Sequence, residues 1–134
     1  MRFLRTKRLC WQLCWLSLLL LLMQPVAAES VKILVQNSPL AGSQYYAMTE
    51  VWAEIKLGDR LTLTHESNNR HDRNAIRVAW KGRQLGYVPR AENRAVAAAL
   101  DTGEKLEARV SKLRSLAQTH DPWQRIEFEV SLIL

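Results

Sequence analysis

The sequence predicts a mainly β fold: a small β-barrel, closed or nearly closed, with one or two short α-helices. Three observations lead there. Several segments alternate apolar and polar residues with period two, the signature of strands with one buried face. Glycine-centred turns separate these segments at short intervals. Beyond an apolar leader, only residues 29–134 remain, enough for one small domain and too few for two. Many short strands in so small a domain favour closure, because closure removes exposed strand edges.

The elements follow in order along the chain. "VKILVQ", from Val31, is a short strand candidate. In "TEVWAEIKLG", Val51, Trp52, Ile55 and Leu57 fit helical spacing and predict a short helical turn. "LGDR" then supplies a turn glycine at Gly58. In "RLTLTHE", Leu61, Leu63 and His65 share one face, opposite Thr62, Thr64 and Glu66. In "AIRVAW" the apolar face is Ile76, Val78 and Trp80, and "WKGRQ" turns the chain at Gly82 into the strand "QLGYV". "NRAVAAALDTG" reads as helix, since its alanines favour that state and Gly103 is placed to end it. Leu106, Ala108 and Val110 mark the next strand. Ile126, Phe128, Val130, Leu132 and Leu134 form the buried face of the last. Trp52, Trp80 and Tyr46 are assigned to the core.

The N-terminus has the three parts of a secretory signal peptide. "MRFLRTKR" is basic, Leu9–Met23 is apolar apart from Gln12 and Ser17, and "QPVAAES" offers a helix breaker and small residues. Cleavage is expected after Ala28, giving a leader over 1–28, a strand or linker over 29–37 and the barrel domain over 38–134. An exported location, periplasmic or secreted, follows from that expectation, with membrane contact only through an uncleaved leader. Both cysteines, Cys10 and Cys14, lie in the leader, so the remainder has no disulfide framework and no thiolate metal site.

Charge is unevenly spread. The whole chain carries +6, but four of its basic residues lie in the leader, which leaves +2 for the rest. Between Arg70 and Arg94, seven basic residues face two acids, a local +5, so the other residues beyond the leader sum to −3. One basic segment within a nearly neutral domain is the form of an anion-binding surface, or of a well-solvated one. At its start lies "NNRHDRNAIRV", Asn68–Val78, where a polar loop turns abruptly into a core strand. Arg70, Arg73, Arg90 and Arg94 are the phosphate candidates, because the planar guanidinium fork suits phosphate oxygens. Asp72 is a turn residue bonding nearby backbone N–H groups, a ligand-binding acceptor, or both together. Asn68, Asn69 and Asn74 lean to the turn role, Asn74 through its amide side chain. Tyr45, His71 and Tyr87 are candidate stacking rings.

These residues carry a family resemblance. "GSQYYAM", "LGDRLTLTHESNNRHDRNAIRV", "GRQLGYVPRAEN" and "LDTGEKLEARV" resemble the HIRAN domain family in order and spacing, over roughly Ser38–Arg114. The resemblance implies an OB-fold-like barrel that binds nucleic acid. In large DNA translocases, such a domain captures the 3′ end of a single strand, stacking terminal bases and hydrogen-bonding the 3′-hydroxyl. By that resemblance Tyr45 stacks and His71 is the ring before the acid. Asp72 binds the hydroxyl, Tyr87 is the ring after the glycine, and Arg90 contacts phosphate. Trp123 corresponds loosely to a late aromatic. Gln44 stands where some members have a basic residue, Ser67 and Arg70 where prolines are usual, and His71 where DNA-binding members have tyrosine. Small bacterial proteins carrying little besides this domain are the nearer comparison.

No Walker-type loop, zinc ligand set or nucleophile elbow is legible, and a non-enzymatic module without cofactor is expected. The expected partner is single-stranded nucleic acid, with its 3′-OH end as the finer expectation and an envelope protein as a further candidate. A protein- or glycan-binding barrel that kept the fold but lost nucleic-acid binding is the alternative.

Overall fold

A computed structural model of the chain describes residues 27–134, so the leader expected over 1–28 lies almost entirely outside the described residues. Six strands form one antiparallel sheet in the order β1-β6-β5-β2-β3-β4. They are β1 (Lys32–Pro39), β2 (Arg60–His65), β3 (Ile76–Trp80), β4 (Arg83–Tyr87), β5 (Leu106–Leu113) and β6 (Ile126–Ile133). A short helix, α1 (Met48–Val51), precedes β2, and α2 (Asn93–Asp101) links β4 to β5. Single 3-10 turns occupy Ser43–Tyr45 and Pro122–Gln124. No helix among the described residues is long and apolar enough to cross a membrane.

The period-two faces pack as their patterns demand. Leu61, Ile76, Val78, Trp80, Ala108, Val110, Ile126, Phe128 and Val130 are buried in one core, joined by Val96 and Ala97 from the apolar stripe of α2. Two expectations are corrected at the edges. Leu134 is exposed: it lies past the end of β6 at Ile133, where its backbone N–H donates to the Val31 carbonyl while its side chain stays outside the core. Leu57 is exposed as well, since α1 stops at Val51 and the helical spacing that turns Val51 and Ile55 inward does not continue to it. Trp52 is part-buried against the core, with the Arg125 guanidinium carbon 3.8 Å from its ring centroid, a cation–π contact.

The turns follow the expected chemistry. Gly58 and Gly82 both have positive φ, 81° and 79°, and Gly82 completes the tight hairpin between β3 and β4. At the end of α2 the Gly103 and Glu104 amides donate to the carbonyls of Leu100 and Ala99, which satisfies the helix's last acceptors.

Closure is near but incomplete. The two ends of the sheet meet where the chain leaving β1 touches the end of β4. There Ala41 and Tyr87 exchange both backbone hydrogen bonds, each 2.9 Å. Gly86 makes the approach possible, since a Cβ on it would stand 2.5 Å from the Ala41 carbonyl oxygen and 3.0 Å from Leu40 Cγ. Just before Gly86, Leu85 is the extra, unpaired residue of a bulge in β4 opposite Val78 and Ala79, and it is fully buried.

Gly86→Ala is therefore expected to destabilise the domain by about 1–3 kcal/mol, the usual range for overpacking against backbone. Gly82→Ala, which meets no atom within 4 Å but keeps a positive φ, is expected to cost only about 1 kcal/mol. Urea unfolding of the two variants checks the order. Equal losses would mean that the Ala41–Tyr87 contact does not constrain the fold.

Candidate nucleic-acid interface

The polar loop between β2 and β3 is built by its own side chains. The Asn69 carboxamide oxygen accepts from the backbone N–H groups of His71 and Asp72, at 2.9 and 3.2 Å. One carboxylate oxygen of Asp72 accepts from the Asn74 N–H at 2.9 Å, and the other from the Asn93 side-chain amide at 2.6 Å. Backbone bonds from Asn69 to Glu66 and from Ala75 to Asp72 complete the loop. Asn69, not Asn74, is thus the asparagine whose side chain ties the turn; Asn74 contributes its backbone N–H, being placed where the Asp72 carboxylate can reach it.

Asp72 consequently does hold the turn. The Asn74 N–H keeps its carboxyl below the usual aspartate range, against the opposing effect of burial, with help from the Asn93 amide and the positive charges of Arg90 and His65. It remains an ionised, part-exposed acceptor. Each oxygen accepts one hydrogen bond, from the loop or from α2, and retains further lone-pair capacity.

That cleft has two halves. The basic half, about 530 Å³, is lined by Arg70, Arg73, Asn74 and Arg94 together with Asn69, His71, Asp72 and Arg90. The second half, about 330 Å³, shares Asn69, His71, Asp72 and Arg90 and adds Tyr46, Tyr87, Ala41, Ala75 and Val88. Among the described residues none of the four arginines forms an ion pair, so their charge is available to an anion. Among the described residues there is also no cluster of three or more groups suited to hold a metal.

Tyr87 is positioned by the closure pair and by its hydroxyl, which donates to Glu66 Oε1 at 2.7 Å. That bond, and then burial, push its hydroxyl up to about 12. Tyr46 meets it edge to face, ring centroids 5.8 Å apart. The core assignment of Tyr46 is therefore corrected: it is 37% exposed and lines the cleft, because the turn at Ser43–Tyr45 sets its ring against Tyr87 at the end of β4. Tyr45, from the same turn, is 79% exposed and is not among the cleft-lining residues. Trp123 is exposed on the second turn, which is held to the first by the Ser43 hydroxyl donating to the Pro122 carbonyl at 3.3 Å, and it too stands outside the cleft lining.

Of the nine residues singled out in the sequence, Arg70, His71, Asp72, Arg73, Tyr87, Arg90 and Arg94 converge, whereas Tyr45 and Trp123 do not join them. Sequence reasoning missed the parts played by Tyr46, Glu66 and Asn93. Only Asn93 left a signal, as a polar residue one turn ahead of Val96 and Ala97 on the buried side of α2.

The chain is thus a barrel-like β domain of the OB-fold-like class with a basic and aromatic cleft at its closing seam. The HIRAN domain model matches residues 33–134, and the chain belongs to that family. In solved structures it is similar to a protein from Lactobacillus plantarum, at 24% identity and TM-score 0.65, over 78% of this chain and 98% of that one. It is also similar to the HIRAN domain of human HLTF, at 19% identity and TM-score 0.58, over 76% of this chain and 78% of that one. At these identities the two likenesses bear on the fold alone. No curated protein matches the chain.

The Asp72 linkage has a defined sign. Because its folded pKa is depressed, its contribution to stability is present above the ordinary aspartate range and is lost as pH falls through the depressed value. Asp72→Asn is expected to flatten this acid limb of the stability profile. Asn93→Ala is expected to cost about 1–3 kcal/mol near neutral pH by removing a donor to a part-buried charge. Denaturant unfolding across a pH series measures both.

Proposed function

We propose that this chain binds single-stranded nucleic acid in the two-part cleft, with a strand's 3′-OH end as the preferred ligand. HIRAN domains are generally DNA-binding modules, which supports the ligand class. The observation that carries the reading is the junction of the two halves. A terminal nucleotide offers a flat base, an anionic backbone and a hydroxyl donor, and Tyr46 with Tyr87, the arginines, and Asp72 line the two adjoining halves in that combination. Base–aromatic stacking contributes about 1–3 kcal/mol per base and tolerates any sequence. Arg70, Arg73, Arg90 and Arg94 supply phosphate contacts, and ionised Asp72 accepts from a 3′-OH while repelling a 3′-phosphate.

The proposal is for a binding module and not an enzyme. His71 is exposed with its neighbour Asp72 committed to the loop, and His65 has both ring nitrogens occupied, so neither resembles a catalytic dyad. Export through the leader at 1–28 belongs to the same proposal and points to nucleic acid outside the cytoplasm as the pool of ligand.

Fluorescence anisotropy of a labelled short single strand tests it. If four phosphates are engaged, log K is expected to fall with log salt at a slope near −3, from about −0.7 per contact. Affinity would then drop roughly fifty-fold between 50 and 200 mM salt. Arg90→Ala is expected to reduce that slope by about 0.7. A strand ending in 3′-phosphate is expected to bind more weakly than its 3′-OH counterpart, and Asp72→Ala to erase the difference. Equal affinity for both ends in the unaltered chain would remove end capture. No binding at low salt would remove the whole reading.

A further inference from the structure

His65 lies at the end of β2 and is not among the residues that line the cleft, yet it holds the cleft's lip. Its Nδ1 is 2.6 Å from an Asp101 carboxylate oxygen, and its Nε2 is 2.8 Å from the Arg73 backbone carbonyl. A neutral imidazole has a single N–H, so it can donate to only one of these and must turn a lone pair toward the other oxygen. The imidazolium donates to both. Asp101 is the last residue of α2, where the helix dipole disfavours a carboxylate and favours a cation. Its placement is accounted for by the ring it binds. Asp101 is largely exposed while the His65 side chain is only 11% exposed, so the histidine is the anchored partner.

The charged groups facing the ring are both acids: Asp101 from α2 and, across the loop, Asp72. β3 places uncharged Ile76 beside it, and Arg73 touches it through its backbone carbonyl. The Asp101 hydrogen bond, followed by that of the Arg73 carbonyl, raises the ring's affinity for its proton above the ordinary histidine value, against a smaller effect of burial.

We propose that His65 is a proton-operated latch that ties the β2–β3 loop to the C-terminal end of α2 and so makes the cleft's readiness to bind depend on pH. With the ring charged, the Arg73 carbonyl is held and the loop carrying Arg70, His71, Asp72 and Arg73 is fastened at both ends, to Asn93 at the start of α2 and to Asp101 through His65. When the ring loses its proton, one of its two bonds is lost and the lip loosens. The raised folded pKa sets the sign: the latch is complete below the ordinary histidine pKa and is released as pH rises through the raised value. Only the consequence for binding rests on the nucleic-acid reading; the latch itself does not.

Amide hydrogen exchange of the full chain without ligand tests the latch, with protection factors used to divide out the intrinsic pH dependence of exchange. The reporters are the bonded amides of His71, Asp72, Asn74 and Ala75. Their protection is expected to fall by roughly threefold or more as pH rises, with the midpoint of the His65 ring titration followed by NMR. His65→Gln is expected to show low protection at all pH values. Asp101→Asn, a change at an exposed position that leaves the fold intact, is expected to move the midpoint down. Protection that is independent of pH in the unaltered chain, or unchanged in Asp101→Asn, would overturn the latch. Strand affinity over the same pH range forms a second arm. Absence of binding would count against the nucleic-acid reading alone, whereas binding that ignores a working latch would overturn its coupling to the cleft.

Discussion

The pair of hydrogen bonds between Ala41 and Tyr87 is the constraint on which the rest of this domain depends. A six-stranded sheet with β1 at one end and β4 at the other has two free edges, and here they are brought together through an isolated bridge. That bridge also orders the site. Tyr87 is at once the last residue of β4, the partner of Ala41 and a wall of the cleft. Ala41 leads directly into the turn that carries Tyr46 to its place against Tyr87. Gly86 is needed because the strands approach too closely for a side chain at that position. The ring pair is therefore a by-product of closure, and rings set by backbone pairing are better oriented than rings on a free loop.

The other half of the cleft is organised by one carboxylate. Asp72 fixes its own loop through Asn74 and fixes that loop to α2 through Asn93. Turn residue and ligand acceptor, the two roles open to Asp72, are compatible because a carboxylate has more acceptor sites than the two bonds use. The same residue that shapes the loop thus faces the arginines, and any substitution there alters loop geometry together with charge. Arg90 reports more cleanly on ligand contact, since it is exposed and takes no part in the loop's hydrogen bonds.

Much of the fold was legible because its main determinants are local. Period-two alternation placed the core faces of β2, β3, β5 and β6, and the glycines at 58, 82 and 103 marked real turns. The alanine-rich segment became α2, with Val96 and Ala97 turned inward. What was not legible depends on contacts between distant segments. Tyr45 and Tyr46 are adjacent and chemically identical, and only the path of the turn over β4 decides which ring lines the cleft. Asn93 reads as an ordinary helix-start residue until Asp72, 21 positions earlier, is found within hydrogen-bond distance. His65 follows the apolar alternation of β2 and shows its polar partners only when the loop and the end of α2 are folded onto it.

The character of the cleft argues against a simple phosphate sponge. Four exposed arginines alone would make a strand-binding surface of any sequence and any register. An ionised aspartate among them weakens attraction for phosphate at the very centre of that surface. Were the aspartate present only to neutralise excess charge, direct ion pairing with an arginine would serve. Asp72 is bonded instead to two neutral amide donors, which preserve its charge and its acceptor capacity. Within a strand every 3′ oxygen is esterified and can donate nothing, whereas the terminal nucleotide carries a hydroxyl that can. On the proposed reading, a persistent acceptor set in a basic cleft disfavours the strand's interior and gains a bond only at its end.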